Sequence, residues 1–279
     1  MPSAGALSIE TSDGVTLAGE EAGEGSSVVL LHGLTATRRY VVMGSRLLER
    51  SGHRVIAYDA RGHGRSTPAK DPTAYGYPEL ASDLERVLDA LGLARATLAG
   101  ASMGAHTVLR FALEHPERVA ALGLITPAYD PTAPRGEHDA HRESLARGLR
   151  EGGVEGFLAA YDFSSVPAPW RETVRTVVLQ RLSAHEHPAA VADAMEALAR
   201  SRPFNELGEL GAIRVPTLVV ASRDEVDPGH PLALAERYAE AIPGAQLAVE
   251  EGGAPARSPI AWQGARLSKL LAELMARAS

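Results

Sequence analysis

The chain has 279 residues, 45% of them hydrophobic and 23% charged, which is enough apolar material for one large core. A formal net charge of −7 argues against nucleic acid and anionic membrane surfaces, because binding either requires a basic field. Cysteine is absent, which excludes disulfides, thiolate nucleophiles and cysteine-ligated metal or iron–sulfur sites.

The first residues, Met1 to Ser8, show no basic segment followed by an apolar run, so no signal peptide is expected. No stretch reaches the roughly 20 apolar residues that span a bilayer. A cytoplasmic protein without membrane contact is the expectation. Ala6 to Thr11 and Val15 to Glu20 then flank Asp13-Gly14, a turn pair that tolerates positive φ, and predict a β-hairpin.

Short apolar runs follow at Val28–Leu31, Arg54–Tyr58, Ala96–Ala99, Ala121–Thr126, Thr217–Ala221 and Gln246–Val249, bounded by Gly, Pro or Asp. They read as strands buried on both faces. Between them, Leu80, Leu84, Val87, Leu88 and Leu91 share one helical face, as do Leu267, Leu270, Leu271, Leu274 and Met275. Alternating strands and helices predict an α/β fold with a mostly parallel, doubly wound sheet. Chemistry then belongs to the loops leaving the carboxyl ends of the strands.

The alternation breaks once, between Pro127 and about Leu210. Helical patterns at Arg142–Arg150, Arg171–Leu182 and Ala189–Arg200 occur there without a convincing strand, punctuated by Pro167, Pro169, Pro188 and Pro203. The stretch is too long for a βα connection and predicts a helical cap inserted over the sheet. The expected division is residues 1–127 and 211–279 for the core and 128–210 for the cap. Phe157, Leu158, Phe163, Trp170 and Leu179 are candidate pocket-lining residues of that cap, with packing inside it as the alternative.

Three strings after strands carry chemistry. Gly100-Ala101-Ser102-Met103-Gly104 joins a strand to a helix, a context in which a tight turn exposes the Ser102 hydroxyl and needs small residues two positions to either side. Leu31-His32-Gly33-Leu34 comes directly after the strand Val28–Leu31. Its Leu34 N–H, with the Met103 N–H, can form an oxyanion hole, in which one donor is typically worth about 3–4 kcal/mol. His32 reads as a residue that orients this loop. Asp59-Ala60-Arg61-Gly62-His63-Gly64-Arg65-Ser66 follows the strand ending at Tyr58; taken alone, its basic residues could suggest a phosphate site, which the acidic net charge opposes.

In order and spacing these strings resemble the α/β-hydrolase superfamily, in its esterase, enol-lactonase and C–C hydrolase branch. The resemblance runs from the hairpin to the last helix. It implies an α/β-hydrolase fold, Ser102 as nucleophile, and a structural role for Arg61 and His63. It also places the triad acid after the strand Thr217–Ala221, within Ala221-Ser222-Arg223-Asp224-Glu225-Val226-Asp227-Pro228. Asp224 matches, with Asp227 in reserve; a solvated loop carboxylate or helix cap is the bland alternative.

The family's catalytic histidine follows the last strand, yet no histidine occurs between Glu250 and Pro259, or anywhere after His230. A serine hydroxyl is a poor nucleophile without a base of suitable pKa, and carboxylates such as Glu250 or Glu251 are weak substitutes. His230, on the loop leaving the strand of the expected acid, is the candidate replacement. His106, one turn after Ser102, reads as a packed or surface structural residue, and His185 and His187 read as exposed on the cap. Loss of turnover, or an alanine substitution at position 254, are the other readings of the missing imidazole.

The expected function is hydrolysis of small carboxylic esters or lactones through an acyl-enzyme on Ser102, without cofactor or metal, by a monomer or homodimer. The alternative is a non-catalytic small-molecule-binding protein on the same fold; a cofactor-free haloperoxidase or dioxygenase-like activity is more distant.

Overall fold

The structure is a computed structural model that describes residues 4–133, 137–223, 229–250 and 264–278. The hairpin and the six expected strands are present, with boundaries within two residues of expectation. In chain order they are β1 (Gly5–Glu10), β2 (Thr16–Ala22), β3 (Ser26–Leu31), β4 (His53–Tyr58), β5 (Ala96–Ala101), β6 (Val119–Ile125), β7 (Thr217–Ala221) and β8 (Gln246–Val249). They form one sheet in the order β1-β2-β4-β3-β5-β6-β7-β8. β1 and β2 pair antiparallel, as do β2 and β4; every pairing from β4 through β8 is parallel.

The central strands β3 to β7 are largely apolar because both of their faces are covered. Val29, Leu31, Ile56, Leu98, Leu122, Leu124 and Val219 point into one core; Val28, Leu30, Val55, Ala99, Ala121 and Val220 point into the other. This is the period-two alternation of a strand, and each larger fully buried aliphatic contributes about 1.5–3 kcal/mol.

A short helix α1 (Leu47–Arg50) precedes β4; α2 (Tyr77–Ala90) and α3 (Met103–Glu114) precede and follow β5. Leu80, Leu84, Val87 and Leu88 of α2 are buried at helical spacing, and Leu84, Val87 and Leu88 join α3 in the first core. The second core is closed by α8 (Gly264–Arg277), through Leu267, Leu271, Leu274 and Met275.

Between β6 and β7 lie α4 (Glu137–Ala160), α5 (Arg171–Leu182) and α6 (Pro188–Arg200); α7 (Leu232–Ala241) follows β7. The pattern expected for Arg142–Arg150 continues past Gly152-Gly153. There φ 60° and ψ −148° at Gly153 divide α4 into two abutting helices. These inserted helices share an apolar cluster of their own, built on Leu145, Leu149, Phe157, Leu182, Val191 and Met195. Phe157 therefore packs within the insertion, and Leu179, at 38% exposure, faces outward. Among the described residues, no helix is long and apolar enough to cross a membrane.

Candidate active site

The chain reverses direction in the sheet order between β3 and β5, and the loops leaving those two strands flank that switch point. Ser102 sits between β5 and α3 with φ 49° and ψ −110°, a conformation costing a β-carbon-bearing residue about 1–3 kcal/mol. Its N–H donates to Ile125 O at 2.9 Å and its carbonyl accepts from His106 N at 3.1 Å, which hold the strained turn in place. The elbow glycines are sterically required. A β-carbon on Gly100 would lie 2.2 Å from the Gly104 backbone, and one on Gly104 would lie 2.3 Å from Leu31 O.

Leu31 leads into the second loop. His32 is buried, with Nε2 accepting the Ala60 N–H at 2.9 Å, so the neutral ring carries its proton on Nδ1 and donates it to Gly33 O at 2.8 Å. Burial, with His63 beside it, holds its pKa well below the ordinary histidine value. In a trans peptide the C=O and N–H point in opposite directions, so anchoring Gly33 O also directs the Leu34 N–H. A β-carbon on Gly33 would be 3.5 Å from Ser102 Cβ, which places this loop directly against the elbow. Met103 is the first residue of α3, where an N–H has no carbonyl one turn back to bond.

The inserted helices pack against the side chains of both residues whose N–H groups are the expected donors. Leu34 packs against their cluster, and both Leu34 and Met103 pack with Leu198 of α6. The apolar cover reduces the effective dielectric around any charge formed at Ser102.

Of the candidate bases, His230 reaches the expected nucleophile: its Nε2 lies 3.0 Å from Ser102 Oγ. β7 is two strands from β5 in the sheet order, roughly 10 Å away. The contact therefore joins segments that follow two strands not adjacent in the sheet, 128 residues apart in sequence. Placement just before α7 does not turn the side chain to solvent: it is half-buried against Ser102.

His106 is committed elsewhere. Its Nε2 accepts the N–H groups of Ala128 and Tyr129, both at 3.0 Å, and its Nδ1 meets the Tyr77 hydroxyl at 3.0 Å. Burial lowers its pKa to about 3, with His230 and Arg142 adding to the effect. It is a packed structural histidine. Asp224 and Asp227 lie outside the described residues, as does most of the window from Glu250 to Pro259.

The third string forms scaffold contacts. Buried Arg61 makes a two-point ion pair with Asp83, at 2.8 and 2.6 Å, and donates to Asp13 and Ala74 O. Asp59 accepts from the Arg38 side chain and from the Arg38 and Arg65 N–H groups. His63 places Nδ1 2.9 Å from Arg61 O and Nε2 2.6 Å from Leu34 O. Its two carbonyl neighbours favour protonation, but burial outweighs them and lowers its pKa.

One expectation is overturned here. His185 is not exposed but buried, because Nδ1 accepts the Gly64 N–H at 2.8 Å and Nε2 faces Thr35 O at 3.3 Å. These partners are 121 and 150 residues away in sequence, so local polarity around His185 carries no trace of them. Among the described residues, no group of three or more His, Asp or Glu side chains is placed to hold a metal ion.

A strained strand–turn–helix serine, a glycine-bearing loop against it and a mostly parallel eight-stranded sheet are the marks of one fold family. The family profile for the α/β-hydrolase fold matches residues 26–255, and the chain belongs to that family. A protein of Variovorax paradoxus (strain S110), named as a candidate carbamate hydrolase RutD, is 31% identical over 258 residues, covering 92% of this chain and 94% of the relative. A thermophilic esterase of Thermogutta terrifontis, solved with malate bound, superposes with a TM-score of 0.80 at 27% identity, over 98% of this chain and 99% of that one. The enol-lactonase of Burkholderia xenovorans LB400 shares the fold, with a TM-score of 0.77 at 23% identity over 98% of this chain and 100% of that one.

Proposed function

We propose that the protein is a serine hydrolase of small carboxylic esters or lactones in which His230 serves as the general base. The observation that carries this reading is the 3.0 Å separation of His230 Nε2 and Ser102 Oγ at a strained elbow. Ser102 Oγ attacks the acyl carbon while its proton passes to His230 Nε2. The negative charge moves to the carbonyl oxygen, where the Leu34 and Met103 N–H groups receive it. Collapse expels the alkoxide, which takes the proton from His230. Water then repeats the sequence on the acyl-enzyme, releasing the acid and restoring Ser102. Asp224, with Asp227 as second candidate, supplies the carboxylate that stabilises the imidazolium.

Residues 128–210 act as the cap that excludes water, and the protein works in the cytoplasm as a monomer or homodimer. The names of the relatives support acyl chemistry, since a carbamate, an ester and an enol-lactone each contain an acyl carbon that a serine hydroxyl can attack. The absence of histidine after β8 favours a second reading, a binding protein that retains the pocket without turnover.

Labelling with a fluorophosphonate separates the two. A single adduct mapped to Ser102 by mass spectrometry and lost in Ser102→Ala, with turnover of a short-chain activated ester, supports the hydrolase. An adduct elsewhere refutes it, and the absence of any adduct favours the binding protein.

A further inference from the structure

Three successive carbonyls of the loop after β3 each face a different imidazole. Gly33 O meets His32 Nδ1 at 2.8 Å, Leu34 O meets His63 Nε2 at 2.6 Å and Thr35 O meets His185 Nε2 at 3.3 Å. The rings form a buried row, with centroids 5.2 Å apart for His32 and His63 and 5.5 Å for His63 and His185. His32 and His63 belong to the core of the fold. His185 comes from the inserted segment between α5 and α6.

We propose that His185 is a positioning residue for the oxyanion loop, through which the inserted helices hold the Leu34 amide in register with Ser102. The inference rests on the hydrolase reading above and extends it to a residue that touches neither substrate nor nucleophile.

The hydrogen bonds define the role. Because Nδ1 accepts the Gly64 N–H, the neutral ring carries its proton on Nε2 and can only donate to Thr35 O. The next residue, Glu186, donates its N–H to Gly64 O at 2.8 Å, so residues 185–186 grip Gly64 at two points. Gly64 follows His63, whose other contact is Leu34 O. The insertion therefore reaches the oxyanion loop directly at Thr35, indirectly through His63, and a third time where Leu34 packs into the cluster of Leu145, Leu149 and Met195. Burial lowers the His185 pKa to about 4, so this donor and acceptor pattern persists at neutral pH.

An anchor needed only to attach the insertion could bond any surface group. This one bonds the carbonyl of the residue after the expected oxyanion donor. Preorganised donors act through their placement, and a misplacement of about 1 Å can cost about 100-fold in rate. Freeing Thr35 O lets the loop shift by part of that distance.

The test compares His185→Ala, His185→Gln and His185→Asn. A glutamine amide nitrogen sits near the Nε2 position and can donate to Thr35 O. An asparagine oxygen sits near Nδ1, keeping the Gly64 bond but losing Thr35. The expected result for His185→Ala is a kcat about 10–100-fold lower, KM within about threefold, and faster amide exchange at Ala36, whose N–H bonds Gly33 O at 2.9 Å. Glutamine should recover most of kcat and of the exchange protection; asparagine should not. Unchanged kcat and Ala36 exchange in His185→Ala overturn the inference, as does asparagine restoring both as fully as glutamine. If the wild-type protein turns over no ester, the hydrolase reading fails, and Ala36 exchange across the three variants still decides the positioning role. If the alanine variant does not fold, the glutamine and asparagine pair decides it alone.

Discussion

Replacing His230 with alanine is the most direct perturbation of the proposed mechanism. Among the described residues this imidazole, the proposed base, lies within hydrogen-bonding reach of Ser102 Oγ at 3.0 Å, and the other nearby rings are engaged elsewhere. His106 Nε2 already accepts two backbone N–H groups, and His32 and His185 each have both nitrogens engaged by the backbone. Without a base, the hydroxyl must lose its proton to water as it attacks. General-base assistance is worth about 10²–10⁴-fold, and a loss near 10³ corresponds to about 4 kcal/mol of transition-state stabilisation. The oxyanion donors remain, so a residual rate above that in water should persist. His230 is half-buried on a loop, and its removal should cost little stability, about 0.5 kcal/mol or roughly 1–2 °C in Tm. The assay is kcat/KM on a short-chain activated ester between pH 5 and 9, with and without added imidazole, alongside His106→Ala. A loss near 10³-fold confined to His230→Ala, partly recovered by imidazole in solution, is the expected outcome. A His230→Ala variant with kcat/KM within threefold of wild type would refute the reasoning and leave the 3.0 Å contact without catalytic meaning.

Gly104→Ala should unfold the elbow rather than tune it, because the new methyl would meet Leu31 O at 2.3 Å with backbone on both sides of the clash. The expected cost is about 3 kcal/mol, roughly 6–12 °C in Tm, together with loss of Ser102 labelling; a Tm within 2 °C of wild type would contradict the geometry. The His106 environment predicts an acid-labile fold: with the pKa lowered from 6.5 to about 3, the unfolded state binds the extra proton between those values. The stability His106 contributes is therefore complete above pH 6.5 and is lost at about 1.4 kcal/mol per pH unit as pH falls toward 3. His106→Gln offers a carbonyl to the Ala128 and Tyr129 N–H groups but does not titrate. Urea unfolding between pH 6.5 and 4 should show a shallower decline in the variant, and identical slopes would dismiss the role of His106.

The sheet was legible in the sequence because its signals are local. Strands buried on both faces read as continuous apolar runs wherever they fall, and helices against them read by period; both patterns span fewer than about fifteen residues. The elbow was legible for the same reason: strand, Gly-x-Ser-x-Gly and helix adjoin one another, and each glycine is demanded by backbone within the same unit or its neighbouring strand. His230 was legible from two facts, that no histidine follows it and that it lies on the loop leaving the strand of the expected acid. Its contact with Ser102 spans 128 residues and depends on β7 lying two strands from β5 in the sheet order. His106 illustrates the opposite case. Its position one turn after the serine is a sequence fact, but only packing shows that Tyr77, Ala128 and Tyr129 occupy both its nitrogens. His185 lies furthest from sequence reasoning. Flanked by Ala184 and Glu186 in a polar connection between two helices, it has the local character of a surface residue. Its burial arises because the insertion folds back onto Gly64 and Thr35, and the sequence around it encodes neither partner. Periodicity and turn chemistry thus determined the sheet and the elbow that carries Ser102. The approach of segments from distant strands decided which imidazole meets Ser102, because that approach depends on strand order and crossover packing, which no short window of residues contains.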